Sequence, residues 1–234
     1  MTSEDATPQD APPSSPRVAV RGEARLEVDP ETARITITVT ARGTDRRSAL
    51  ADLTRRNDAV LELLRSAGEA VEKIETGSFS LSPELRQGRG ERVRAYHGRV
   101  HVQALFVDFS ALGDLVTRLA DLELTRVDGP WWGLRPDSPV HREARRQAVR
   151  EAVTRAREYA QAVGADLAGL IDIADIGVDP VPAPAYGLAS GPARAFGGAA
   201  GAAEGAPPAL DLEPRRQSVF ARINARFTIT PPVL

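Results

Sequence analysis

The sequence predicts an α+β fold with mostly antiparallel sheets, on three observations. Apolar residues alternate at period two in runs that come in neighbouring pairs, three segments carry a helical stripe instead, and Gly, Pro or Asp clusters separate them. The elements read in the order ββαββ, then αβα, then ββ, with the helices packed on one face of each sheet.

Residues 1–16, "MTSEDATPQDAPPSSP", read as a disordered tail, because dense proline and low hydrophobicity cannot offset the entropy of ordering. Residues 17–234 follow as the folded α+β domain. In "RVAVRGEARLEV" the residues Val18, Val20, Ala24, Leu26 and Val28 alternate, and in "ARITITVTARG" Ile35, Ile37 and Val39 oppose Thr36, Thr38 and Thr40. The short "DPE" between them predicts a hairpin. A helix follows, with Thr44 as N-cap, a stripe of Leu50, Leu53, Val60, Leu61 and Leu64, and a stop at Gly68. Two strands then flank "RQGRGE" at a hairpin tip, and Gly77 and Gly98 are candidate bulges.

The next helix is capped by Ser110 and carries Leu112, Leu115, Val116 and Leu119, and "LELTRVDGPWWGL" forms a strand after it. The longest helix opens with Ser138 and Pro139 and stops at Gly164. Its stripe of Val140, Ala144, Ala148, Ala152, Ala156, Tyr159 and Val163 predicts close approach to a neighbouring element. "LAGLIDIADIGV" is a strand, about 179–214 is a flexible Pro/Gly/Ala-rich insertion, and "RQSVFARINARFTIT" is a last strand pairing with the strand before the insertion.

A net charge of -2 supplies no field to gather nucleic acid or an anionic membrane. The absence of cysteine removes disulfides, thiolate metal sites and thiol nucleophiles, and is compatible with either redox compartment. The N-terminus shows no leader pattern and no run of about 18 apolar residues occurs, so the expectation is a cytoplasmic protein without a membrane span.

Chemistry-bearing patterns are few. His97 and His101 share a strand face about 13 Å apart, too far for one metal ion, and His141 lacks a second helical ligand. No nucleophile elbow or phosphate loop is present, so no catalytic residue, metal or cofactor is assigned. Arginines on the long helix alternate with Glu143, Glu151 and Glu158, and Glu151 with Arg155 is a favourable pair, which predicts a solvated face rather than a nucleic-acid surface. Arg86, Arg89, Arg92, Arg94 and Arg99, around the hairpin that also carries Tyr96, are less balanced and suit an acidic partner. The two tryptophans, Trp131 and Trp132, must face opposite sides of a strand: one plugs the core and the other faces outward. The binding and interface candidates are Trp131, Trp132, Arg89, Arg92, Arg94 and Tyr96.

The chain resembles the SIMPL domain family over residues 17–230. "VAVRG" places Val18, Val20 and Gly22 in that family's opening motif, and "PETA" places Pro30 and Ala33, with Glu31 in place of aspartate. "KIET", Leu81 with Pro83, and "AYHGRVHVQALFVDFSALGDLV" follow in the family's order. The long helix matches best, through Glu143, Ala144, Ala148, Val149, Ala152, Ala156, Glu158, Tyr159 and Ala160. The resemblance implies an α+β domain that self-associates, with exported bacterial members linked to oxidative stress, an animal adaptor in kinase signalling, and no catalytic residues to carry over. The resulting expectation is a non-enzymatic scaffold or adaptor, a homo-oligomer with an unidentified protein partner. The alternative is a small-molecule-binding protein or enzyme with a pocket near Trp131 and Trp132.

Overall fold

The structure, a computed structural model of the chain, describes residues 15–85, 93–175 and 208–233. The elements run β1 (Arg17–Val28), β2 (Thr32–Gly43), α1 (Arg46–Ser66), β3 (Val71–Leu85), β4 (Val93–Phe106), α2 (Leu112–Ala120), β5 (Thr125–Gly133), α3 (Pro139–Ala162), β6 (Leu167–Asp175) and β7 (Gln217–Ile229). This is the mixed α+β class, in the element order that the sequence predicts. The described residues divide into two compact units, one from 15–27, 137–175 and 218–233, the other from 28–85, 93–136 and 208–217.

The larger unit is a four-stranded sheet, β3-β4-β2-β5, with every neighbouring pair antiparallel. One face is built of Ile35, Ile37 and Val39 on β2 and Val100, Val102 and Phe106 on β4, all buried beneath α1 and α2. Asp45, one residue beyond the predicted Thr44, caps α1. Its carboxylate accepts from the backbone N–H groups of Arg47 at 2.9 Å and Ser48 at 3.0 Å, and Ser48 Oγ accepts from Asp45 N–H at 3.3 Å. That reciprocal pair satisfies otherwise unpaired donors of the first turn. The buried stripe of α1 is Ala49, Leu53, Val60 and Leu64, while the predicted Leu50 is 43% exposed. The helix passes so near Gly43 that a Cβ there would lie 2.4 Å from Ala49 N, so the contacting position takes a small residue.

Gly77 is a bulge, where the β3–β4 register shifts between Thr76 and Ser78. Gly98 is not. It stays in register with Ala41 and Leu81, and Leu53 fills the space above it. Ser110 does not cap α2, because its N–H is turned back to the Asp108 carboxylate at 2.9 Å and Ala111 occupies the cap position. Part of the predicted insertion, residues 208–214, is ordered against this helix: Leu210 N–H donates to Thr117 Oγ1 at 3.1 Å. The rest of that insertion, the hairpin tip 86–92 and tail residues 1–14 lie outside the described residues.

The smaller unit is a three-stranded sheet, β1-β7-β6, with α3 against one face. The predicted β6–β7 pairing is present and antiparallel. Ser138 caps α3 and Pro139 opens it, and the chain leaves through Gly164 at φ 66°, a conformation that favours glycine. The buried stripe is Ala144, Ala148, Ala152, Ala156 and Ala160 at strict four-residue spacing. Tyr159, predicted to be in that stripe, is 56% exposed, and Ala160 takes its place. Gly22 of β1 explains the composition, since a Cβ there would lie 2.0 Å from Ala148 O and 2.8 Å from Ala152 Cβ. Helix and strand touch backbone to side-chain root, which only glycine and alanine permit.

The predicted hairpin between β1 and β2 does not form, because the two strands belong to different sheets. Their inward faces show why. Val20, Gly22 and Ala24 of β1 match an alanine helix, whereas Ile35, Ile37 and Val39 of β2 match the leucine faces of α1 and α2. Residues "DPE" therefore join two sheets rather than two strands of one, and Glu31 N–H bonds Gly133 O at 2.9 Å on β5.

Candidate functional site

The uncovered face of the four-stranded sheet carries polar side chains in rows fixed by register. Ser78 of β3, His101 of β4, Thr38 of β2 and Arg126 of β5 form one row, and Ser80, Arg99 and Thr40 form the next. Alternation puts Ile and Val on the helix side and Thr, His and Arg on this side. Thr38, Thr40, Arg99, His101, Leu124, Thr125, Arg126 and Asp128 line a depression of about 550 Å³ on this face.

Its hydrogen bonds leave it rich in donors. Thr38 Oγ1 and His101 Nδ1 are 2.9 Å apart, and Thr40 Oγ1 donates to Leu124 O at 3.1 Å. Leu124, at φ 54°, brings that carbonyl onto β2, where Thr40 N–H also meets it at 2.9 Å. Arg126 bonds Asp128 Oδ1 through Nε at 2.9 Å and Nη2 at 2.7 Å, and this carboxylate holds the guanidinium above its ordinary pKa. Among the described residues the Arg99 guanidinium has no hydrogen bond or ion pair, although it is exposed at the centre of the face.

The structure separates the residues that the sequence singles out. Trp131 pairs in register with Arg34 and is 52% exposed, whereas Trp132 pairs with buried Ala33 and meets Phe109 edge-on with ring centroids 4.9 Å apart. Trp132 thus fills the core and Trp131 is the outward member. Tyr96 pairs with Gly43 at the other end of β2, nine residues from Arg34 and therefore about 30 Å away along the strand. Arg46 lies over the Tyr96 ring at 5.9 Å. Arg94 is exposed and donates to Glu84 at 3.3 Å, and Arg89 and Arg92 lie outside the described residues.

Glu84 gathers three side chains: His97 Nε2 at 2.6 Å, Arg42 Nη2 at 2.9 Å and Arg94. His97 first and Arg42 second hold its carboxyl below the usual range. On α3, Glu151 accepts from Arg155 at 2.7 Å, as its spacing predicts, and Glu143 meets Arg150 at 3.3 Å. Among the described residues no group of three or more His, Asp or Glu is placed to share a metal ion, and no helix is long and apolar enough to cross a membrane. The Arg99 site was missed from sequence because its parts come from three strands. Arg99 itself was singled out only with the hairpin arginines, and the alternation of Thr36, Thr38 and Thr40 marked the polar face.

The fold and this surface define a two-unit α+β protein with one open polar sheet face. The chain belongs to the SIMPL family, described as a protein of unknown function (DUF541), which matches residues 18–227. It is similar to the 26 kDa periplasmic immunogenic proteins of Brucella melitensis biotype 1 and Brucella abortus strain S19, each 23% identical over 176 residues, 72% of this chain and 70% of the relative. A crystal structure from Burkholderia cenocepacia, provisionally described as an amidohydrolase/peptidase, is 20% identical, covers 56% of this chain and 33% of its own, and has a TM-score of 0.24. Both Brucella relatives are named periplasmic, which overturns the cytoplasmic expectation. That expectation rested on the composition of residues 1–16, and a cysteine-free chain suits an oxidising compartment equally well.

Proposed function

We propose that this protein is a non-enzymatic, self-associating scaffold or adaptor that works in the periplasm, where its named relatives are placed. The carrying observation is the apolar side of β6. By register Leu170 and Ile173 lie on the same side as Phe227 and Ala225, both buried, yet they are 57% and 46% exposed, and Ile171 is 41% exposed. Among the described residues β6 is the last strand of its sheet, so its outer backbone edge is also unpaired. An apolar strand edge is a template for a further chain.

The non-enzymatic part is supported by the titratable groups. Asp45, Asp52, Glu84 and Asp108 are held low by caps and ion pairs, and Arg56 and Arg126 are held high, so each shift deepens the charged form. A carboxylic acid or guanidinium used for proton transfer near neutral pH needs a shift in the opposite direction. A role in oxidative-stress tolerance belongs to the same reading, and a deletion strain as peroxide-resistant as its parent would remove it. Light scattering on the intact chain tests the assembly directly. The expected mass is a multiple of 25.1 kDa, and a strict monomer at high concentration overturns the reading.

A second reading, small-molecule binding beside the tryptophans, is favoured by the half-exposed Trp131 next to Arg34. Ligand quenching of tryptophan fluorescence tests it.

A further inference from the structure

We propose that the depression on the open face of the four-stranded sheet binds a small oxyanion-bearing molecule, a carboxylate or a phosphate ester, with the Arg99 guanidinium as its principal ligand. This goes beyond assembly and rests on a different sheet from the β6 edge, so either can fail without the other.

Three features carry it. The first is an arginine with no hydrogen bond or ion pair among the described residues, lining a depression in the sheet face from the β4 side. The second is the committed state of the surrounding acceptors. Asp128, the one carboxylate lining the depression, is already bonded to Arg126 by two N–H groups. The carbonyl of Leu124 is taken by Thr40. What remains uncommitted is the Arg99 fork and the Nη1 group of Arg126 as donors, beside the second carboxylate oxygen of Asp128 and the outer ring nitrogen of His101, whose Nδ1 is paired with Thr38. A guanidinium fork matches the planar or tetrahedral oxygens of carboxylate and phosphate and forms charge-assisted bonds with them.

The third feature is spacing and size. Arg99 and Arg126 stand on strands separated by β2 and two residues apart in register, with Cα atoms roughly 12 Å apart, so their side chains can reach one ligand from opposite sides. A volume of about 550 Å³ lies within the range of small-molecule pockets, roughly 300–1,000 Å³. The hydroxyls of Thr38 and Thr40 and the carboxylate of Asp128 can meet the hydroxyl groups of such a molecule.

Calorimetric titration of the full chain with glucuronate, glucose 6-phosphate and neutral glucose tests the site. Binding of either acid, with none for glucose, is expected, and the tighter of the two identifies the preferred group. Arg99→Gln should weaken that binding at least tenfold while leaving the circular-dichroism melting curve unchanged, because no described contact is lost. Arg126→Gln should weaken it by a smaller factor, and raised salt should weaken it in the parent. No heat with either acid, equal binding of glucose, or an Arg99→Gln variant that binds like the parent would overturn the proposal.

Discussion

The two units bury a helix against a sheet by opposite means. In the larger unit, Leu64, Phe106 and Leu112 are fully buried and the contact is made by long side chains. In the smaller unit the fully buried positions of the helix are all alanine, and Gly22 lets the backbone itself serve as the contact surface. The first arrangement is rich in removable volume. The seam between α3 and β1 in the second has almost none, but it has no room to accept any. The larger unit should therefore be vulnerable to deletion and the smaller one to insertion. The units also differ in what their surfaces leave open: a polar sheet face in one, an apolar strand in the other.

The probes separate conveniently, because both tryptophans lie in the larger unit and amide exchange across Pro139–Ala162 reports the smaller. Phe106→Ala should lower the stability seen by tryptophan fluorescence by about 3–5 kcal/mol, the cost of a large core cavity. Exchange in α3 should be unchanged. Gly22→Val should do the reverse, accelerating exchange in α3 by an overpacking penalty of about 1–3 kcal/mol or more. Removing volume there should cost less: Ala152→Gly is expected to cost about 1 kcal/mol, mainly helix propensity. If Gly22→Val were silent in α3, the close-contact account of the smaller unit would be wrong.

The tryptophan pair sharpens the same contrast within one strand. Trp132→Ala should cost about 2 kcal/mol through lost burial against Phe109 and the core. Trp131→Ala should stay within about 0.5 kcal/mol in urea denaturation, as an exposed side chain does. Comparable losses for both would contradict the placement of the two rings.

The smallest effect is electrostatic and confined to the larger unit. Asp45, Asp52, Glu84 and Asp108 all lie there, and each has a folded pKa below its ordinary value, 3.8 for aspartate and 4.5 for glutamate. A depressed carboxyl stabilises the fold fully above the unfolded pKa, and the contribution disappears as pH falls through the folded one. The fluorescence-monitored stability should hold from pH 7 to 5 and fall in the window beginning near pH 4.5 and extending below 3.8. Glu84→Gln should flatten part of that fall. An unchanged acid profile would mean that the His97 and Arg42 contacts contribute nothing in solution.

Much of this architecture was legible in the sequence, because it rests on local patterns. Alternation located the strands, four-residue alanine spacing located α3, and Ser138-Pro139 with Gly164 bounded it. The errors fall where local pattern meets long-range contact. Strands β1 and β2 are neighbours in sequence and each alternates well, but sheet membership was decided by the size of the residues facing the helices. Leu50 and Tyr159 were placed inward by spacing, yet the approach of the backbone at Gly43 and the alanine seam of α3 turned both outward. Gly98 imitates a bulge, although Leu53 from another element occupies its empty side. The Arg99 depression was illegible for a related reason: its residues lie on three strands, and only the register brings Arg99, His101, Thr38 and Arg126 together.

The central functional claim is that copies meet along the apolar side of β6. Sedimentation velocity on the intact chain and on a Leu170→Asp, Ile173→Asp variant tests it most directly. The parent should sediment as an assembly of 25.1 kDa chains, and the variant should fall to the monomer while keeping its circular dichroism and its protection in α3. A parent that is monomeric, or a folded variant that assembles as the parent does, would contradict the account.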